Sequence, residues 1–359
     1  MSPATPSRGP QALESFLDLS AAVGQDILKT QGAGGNTSIK QDGILWVKAS
    51  GTWLAHAKER NIMVPVEIAP LVKALRQGDP RAEKATDFVV AELNESGLRP
   101  SIETSFHAAL EQPVVAHFHC VNTIALAVSA RREQLLAKRM SEVSDLTWKS
   151  IPYRRPGTPL AGEIDRVASE RPDVLVLFNH GLIVCGDTVE EVSERIERVT
   201  SALSTAPRET PEADRSALEA VCHGSGFRPA EDAESHKVAL CPVSRAIAMG
   251  GSLYPDHVIF LGTKLGVLAE GQTVEDLLQG FKRRGEAAPK MIIVPGKGVL
   301  LSTDLTAGGE AMARCLAEVT LRIPADEEIV YLSAADEAQL TNWEAEQYRQ
   351  ALDRKSAGR

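Results

Sequence analysis

The sequence is poor in the features that mark secreted, membrane-embedded and nucleic-acid-binding proteins. Its five cysteines are odd in number, widely scattered and without a Cys-x-x-Cys pair, which argues against a disulfide framework or a cysteine-based zinc site. No apolar run reaches the roughly 18 residues of a membrane-spanning helix, and the polar, Pro-rich start lacks the apolar stretch of a secretory signal. We therefore expect a cytoplasmic protein with a flexible arm over residues 1–14.

A surplus of basic charge is also missing, since the formal net charge is -9 at pH 7. A chain this acidic has no electrostatic reason to bind nucleic acid or an anionic membrane surface. Its hydrophobic fraction of 43% and charged fraction of 24% are ordinary for a globular protein. We therefore expect a small-molecule partner, and a local basic pocket for an anionic substrate stays open.

Helix-like and strand-like segments alternate along the first 204 residues, which predicts an α/β domain over 15–204. Asp42-Gly43 between two strand-like segments predicts a tight hairpin turn. The predicted strands are 38–40, 44–48, 113–119 and 173–178. The predicted helices are 11–30, 67–77, 83–95, 101–112, 130–140 and 188–203.

The polar, Pro-containing stretch 205–216 is predicted to be a linker. Residues 217–359 are expected to form a smaller α/β domain whose role the sequence does not reveal. Its predicted strands are 258–261, 291–294 and 299–301, and its predicted helices are 307–321 and a charged tail over 334–354.

Three histidines carry the clearest chemical signal. His117 and His119 alternate on a predicted strand, so both imidazoles share one face. His180 ends a predicted buried strand and is followed by Gly181, which permits a sharp turn. Each signal alone fits an ordinary hydrogen-bonded histidine, whereas three together with an open fourth position describe a catalytic metal site. Imidazole ligands favour Zn²⁺, with Mn²⁺ and Co²⁺ as alternatives.

Other polar residues surround this signal in the sequence. Glu103 lies near the start of a predicted helix, where it is either a capping acid or a general acid/base. His107, four residues later, is either a ligand or a buried partner that orients its surroundings. The runs 32–38 and 49–52 contain glycines and hydroxyls that can bind an anion through backbone N–H groups. Neither fits a P-loop or a dinucleotide fingerprint.

Five short motifs, in order and at sensible spacing, resemble the class II aldolase and adducin family, which includes fuculose-phosphate and rhamnulose-phosphate aldolases. They are Gly35-Asn36-Thr37-Ser38, Ala49-Ser50-Gly51-Thr52, Pro100-Ser101-Ile102-Glu103, Val115-Ala116-His117-Phe118-His119 and Asn179-His180-Gly181-Leu182. The resemblance covers residues 15–204. It implies a three-layer αβα domain around a mostly antiparallel sheet, assembled as a homotetramer with sites at subunit interfaces.

The resemblance also implies roles for individual residues. The metal ligands fall on His117, His119 and His180, and the catalytic acid/base falls on Glu103. The family's substrate- or phosphate-binding positions fall on Asn36, Thr37, Ser50, Gly51 and Ser101. Ile102 stands where phosphate-using members often have a serine, so a phosphorylated substrate stays open.

The implied activity is that of a metal-dependent lyase of carbohydrate metabolism. It would cleave a hydroxy-carbonyl sugar or sugar acid by aldol or retro-aldol chemistry through a metal-stabilised enediolate. The same site would also serve decarboxylation, epimerisation or dehydration. A non-enzymatic, adducin-like binding protein is the remaining alternative, and the full histidine set argues against it.

Overall fold

The computed structural model describes residues 13–341, so most of the expected N-terminal arm and the end of the predicted tail helix lie outside it. The strands are β1 Asn36–Gln41, β2 Ile44–Lys48, β3 Met63–Glu67, β4 Val114–Phe118, β5 Trp148–Ile151, β6 Val174–Leu177, β7 Gly181–Gly186, β8 Phe227–Pro229, β9 Gly266–Val267, β10 Met291–Val294 and β11 Gly298–Ser302. The helices are α1 Leu13–Gln25, α2 Ile68–Arg76, α3 Thr104–Ala109, α4 Val121–Ala127, α5 Arg132–Met140, α6 Thr158–Ala168, α7 Val189–Ala202, α8 Arg215–Cys222, α9 Lys237–Leu240, α10 Pro242–Gly250, α11 Val274–Arg283, α12 Ala307–Arg322 and α13 Ala334–Thr341.

The N-terminal half is built on a seven-stranded sheet with the order β3-β2-β1-β4-β7-β6-β5. All neighbours are antiparallel except β5 and β6. Helices α1, α5 and α7 pack on one face, and α2, α3 and α6 pack on the other. Because both faces are covered, β6 and β7 are buried along their whole length. The expected three-layer αβα domain is confirmed.

Two local signals have the structure that the sequence predicts. The β1–β2 hairpin turns through Asp42 and Gly43, whose φ angles are 53° and 78°, as a two-residue type I′ turn requires. Helix α7 begins after Thr188, whose side chain accepts a hydrogen bond from the backbone N–H of Glu191.

Two other predictions are wrong. Residues 83–95 form short 3₁₀ turns, a single β-bridge residue and further turns rather than a helix: Ala85 has a left-handed φ of 55°, and Val89 forms a bridge with Val66. The predicted strand at 258–261 lies in a π-helical turn, His257–Leu261, whose residues are all buried. A short apolar run that is buried on all sides has no periodicity to separate strand from helix.

The C-terminal region is also α/β, as expected, with a four-stranded sheet of order β8-β11-β10-β9. Its core is continuous with the N-terminal half, because Val121 and Ile124 of α4 belong to the same buried cluster as Ile259 and residues of α12. No regular element lies between Ala202 and Arg215, and the linker over 205–216 and the domain boundaries stay predictions. Within 13–341, no helix is long and apolar enough to cross a membrane.

Candidate metal centre

Three histidines meet at one end of the large sheet. His117 lies in β4, His119 follows the end of that strand, and His180 directly precedes β7. Antiparallel pairing of β4 with β7 brings these positions side by side. The ring centroids are 5.0 to 5.1 Å apart, and one ligand atom from each ring lies within 4.8 Å of the others. The structure therefore brings together the three histidines that the sequence assigns to a metal.

The outward nitrogens of two rings have partners that fix their orientation. Nδ1 of His117 donates to the carbonyl oxygen of Leu182 at 3.0 Å, and Nδ1 of His119 lies 3.1 Å from Oδ2 of Asp256. The Nε2 atoms of both rings are buried without a hydrogen-bond partner among the described residues. Burial lowers the pKa of His117 to about 4, so at neutral pH this ring is uncharged and its Nε2 lone pair is available. Such inward-facing lone pairs fit a bound cation.

Glycines allow the chain segments around the histidines to approach each other closely. A Cβ on Gly181 would lie 2.5 Å from the carbonyl oxygen of Phe118, and one on Gly35 would lie 2.8 Å from that of His117. Gly35 also has a φ of 61°, in the left-handed region. Any larger residue at either position would push β1 or β7 away from the end of β4.

Glu103 faces the same point as the histidines. Its carboxylate is buried, with Oε2 at 3.5 Å from Nε2 of His117 and Oε1 at 3.5 Å from Nε2 of His180. These distances are close to the separation of about 3.4 Å between two ligand atoms that bind one ion tetrahedrally with bonds of about 2.1 Å. Although Glu103 precedes α3, its side chain makes no capping hydrogen bond. Glu103 is therefore not a helix-capping acid, and its carboxylate faces the point on which the three histidines converge.

A chain of hydrogen bonds through Asn36 and His107 fixes the position of the Glu103 carboxylate. The Nδ2 atom of Asn36 donates to Oε2 of Glu103 at 2.8 Å and to Oγ of Ser101 at 2.9 Å. The Oδ1 atom of Asn36 must then accept a hydrogen bond, which Nε2–H of His107 donates, and Nδ1 of His107 accepts a hydrogen bond from Oγ of Ser38 at 2.7 Å. Burial lowers the pKa of His107 well below its usual value, which keeps this ring neutral. His107 thus orients its surroundings and is not one of the clustered ligands.

A small cavity opens beside these groups. Its volume is about 30 Å³, enough for about one water molecule. Four of the five residues that the sequence assigns to substrate binding line it: Asn36, Ser50, Gly51 and Ser101. Thr37 does not, because it points to the opposite face of β1, where its hydroxyl lies 2.7 Å from that of Ser20. Lys48 is buried at the end of β2 and also lines the cavity, although no motif in the sequence marks it.

The comparison with known families agrees with this geometry. Residues 28–206 match the model of the class II aldolase and adducin N-terminal domain. The chain belongs to the class II aldolase and adducin family. The family domain ends close to the end of α7, so the C-terminal region lies beyond the match.

The individual proteins to which this chain is similar match only part of it. It is 28% identical over 195 residues to the uncharacterized oxidoreductase YuxG of Bacillus subtilis, which is 50% of this chain but 27% of that protein. It resembles the N-terminal class II aldolase domain of a conserved Thermoplasma acidophilum protein (24% identity, TM-score 0.47, 56% of this chain and 97% of that one). It also resembles a sugar-phosphate aldolase from Thermotoga maritima (15% identity, TM-score 0.43, 54% and 92%). The chain thus spans about a quarter of the curated relative it matches.

The aldolase domain does not form the whole wall of the cavity. Pro255, Asp256 and Ile259 of the C-terminal region also line it, and Asp256 contacts His119 directly. No motif in the sequence marked Asp256 as part of the site.

Proposed function

We propose that this protein is a divalent-metal-dependent lyase that cleaves or forms a carbon–carbon bond in a hydroxy-carbonyl sugar or sugar acid. The observation that carries the proposal is the convergence of Glu103 with three buried imidazoles, whose ligand atoms lie within 4.8 Å of one another. His117, His119 and His180 would hold the ion. Bound there, a divalent cation supplies Lewis-acid polarisation of a carbonyl and neutralises developing negative charge.

Glu103 is the proposed proton carrier. Among the described residues, it is the one carboxylate that faces both His117 and His180, and Nδ2 of Asn36 donates a hydrogen bond to its Oε2 atom. A carboxylate fixed in this way can take a proton from the substrate or return one, which is the proton transfer that aldol chemistry requires. Positioned acid/base groups contribute about 10²–10⁴-fold to rate.

Substrate binding is proposed for Asn36, Ser50, Gly51 and Ser101, with Lys48 as an added candidate because this buried cation lines the same cavity. The Lys48 ammonium donates to the carbonyl oxygens of Ala33 at 2.8 Å and Thr52 at 2.7 Å, and a positive charge fixed in the cavity wall favours a substrate that carries a carboxylate or a phosphate. The ion is proposed to be Zn²⁺, and the assembly a homotetramer, on the family resemblance.

The same residues support a second reading at the level of the reaction. Decarboxylation, epimerisation and dehydration next to a carbonyl need the same electrophile and the same proton carrier. A non-enzymatic, adducin-like role is less well supported, because it gives no reason for the buried histidine cluster.

The test is a metal analysis followed by a substrate screen. The purified protein is loaded with Zn²⁺, Mn²⁺ or Co²⁺ and offered hydroxy-carbonyl sugars and sugar acids, each with and without a phosphate. Released aldehyde and released CO₂ are measured separately, with His180→Ala as the matched control. We expect metal-dependent aldehyde release that the control lacks. Release of CO₂ alone would replace aldol cleavage by decarboxylation, and a protein without bound metal or turnover would support the binding role.

A further inference from the structure

A carboxylate from outside the aldolase domain touches one of the proposed ligands. Oδ2 of Asp256 lies 3.1 Å from Nδ1 of His119, and both residues are buried, with exposures of 2% and 6%. A neutral imidazole that faces a carboxylate through Nδ1 carries its proton there, because a carboxylate only accepts. The lone pair of His119 is then on Nε2, the nitrogen that has no hydrogen-bond partner among the described residues.

We propose that Asp256 is a positioning residue of the metal site, which the C-terminal region contributes to the aldolase domain. It fixes the tautomer and ring orientation of His119 and makes that ring a stronger ligand. Carboxylate–histidine–metal arrangements of this kind are how proteins orient metal ligands. The inference rests on the proposed function, because it needs the metal site to exist.

The backbone around the pair is built to allow this contact. A Cβ on Gly34 would lie 2.9 Å from Nδ1 of His119 and 3.1 Å from Oδ2 of Asp256. Any side chain at position 34 would therefore press on both partners of the hydrogen bond. Gly34 belongs to the glycine-rich run that the sequence analysis considered for anion binding, and here it leaves room for the carboxylate to reach the histidine.

The segment that carries Asp256 is held against the metal domain at two further places. Asn179, the residue before His180, donates through Nδ2 to the carbonyl oxygens of Leu253 at 3.0 Å and Val330 at 2.7 Å. The π-helical turn after Asp256 shares its buried cluster with α4, the helix that follows His119. Both histidine-bearing loops are thus attached to the C-terminal region, so the position of Asp256 relative to His119 is determined by a packed core rather than by a free loop.

The experiment measures metal affinity in the full chain. Wild type, Asp256→Ala, Asp256→Asn and Glu270→Ala, an exposed acid of the same region, are stripped of metal and titrated with Co²⁺ against a competing chelator. Thermal unfolding of each metal-free variant monitors folding. We expect Asp256→Ala to bind Co²⁺ about 10–100-fold more weakly. Asp256→Asn should retain most of the affinity and the wild-type Co²⁺ absorption spectrum, because its amide oxygen accepts the same hydrogen bond. Glu270→Ala should match wild type.

Wild-type affinity in Asp256→Ala would overturn the inference. So would an Asn variant as weak as the Ala variant, because Asp256 would then act as a direct ligand or through its charge rather than as a hydrogen-bond acceptor. If the Ala variant does not fold, Asp256→Leu, which has a similar volume but cannot accept a hydrogen bond, takes its place with the same expected loss of Co²⁺ affinity. Failure of the proposed function has a different signature: the wild type itself would bind no Co²⁺, or His117→Ala would bind as well as wild type.

Discussion

Replacing Glu103 by glutamine separates the stability of the site from its chemistry. Glutamine has nearly the shape of glutamate, and its amide oxygen can still accept the hydrogen bond that Asn36 donates at 2.8 Å. The negative charge, however, is lost from a buried position 3.5 Å from Nε2 of both His117 and His180. We therefore expect the substitution to stabilise the metal-free protein and to weaken the binding of metal.

In the metal-free protein, the carboxylate is buried and its Oε1 has no hydrogen-bond partner within the described residues. An under-satisfied buried polar atom costs about 1–3 kcal/mol, more when it is charged. We therefore expect Glu103→Gln to raise the free energy of unfolding of the metal-free protein by about 1–3 kcal/mol. Stability gained by removing a functional group is a common sign of an active site.

In the metal-loaded protein, the same change removes an attraction. Two unit charges about 4 Å apart interact by about 4 kcal/mol at an effective dielectric of 20, and the desolvation of both groups reduces the net value. We expect Co²⁺ to bind roughly 10–100-fold more weakly, held by the three histidines, and kcat on an identified substrate to fall by about 10²-fold or more.

Chemical denaturation in the presence of a chelator measures the first effect, and Co²⁺ titration measures the second. Glu270→Gln, which removes an exposed acid, is the matched control and should change neither. A metal-free Glu103→Gln protein that is less stable than wild type would refute the argument from buried charge. Near-normal kcat would reduce Glu103 to a structural residue and require another proton carrier.

Three further predictions follow from the same structure. His117→Ala, His119→Ala and His180→Ala should each lose the bound ion, as measured by metal analysis after gel filtration, and full metal content in any one would remove that residue from the ligand set. Light scattering should give a multiple of the 38.6 kDa chain mass, expected to be four, whereas a monomer at micromolar concentration would contradict the assembly. Burial lowers the pKa of His257 from 6.5 to about 4, so between these values the unfolded chain binds the extra proton. His257 therefore contributes stability that is fully present above pH 6.5 and declines by up to about 3 kcal/mol as the pH falls to 4. Denaturation at several pH values should show this decline, and His257→Asn should reduce it.

The histidine cluster was predictable because its geometry is local. The period of a strand puts alternate residues of 117–119 on one face, and the glycine after His180 indicates a sharp turn at a strand end. Antiparallel pairing of β4 with β7 then brings the two motifs together. Glu103 was also found from sequence, through its place before a predicted helix and the family resemblance, although the two possible roles could not be separated without its distances to the imidazoles.

Other features of the site and fold could not be predicted, because they depend on which face of a strand or turn is buried. Thr37 belongs to the family motif, but the alternation along β1 turns its side chain away from the cavity that Asn36 faces. The apolar residues 258–261 read as a strand because nothing in their pattern shows that they are surrounded on all sides. Lys48 ends a predicted strand like many surface lysines, and only the fold reveals that it is buried.

Asp256 was beyond sequence reasoning for a physical reason. It lies 137 positions after His119, and the contact exists because α4 packs into the core of the C-terminal region. Val121 and Ile124 are fully buried in that core, and Val121 is only two residues after the proposed metal ligand His119. Burying such side chains contributes about 1.5–3 kcal/mol each. The apolar contacts that join the two halves therefore involve the helix that directly follows His119. The C-terminal region thus positions the metal site through this packing as well as through Asp256.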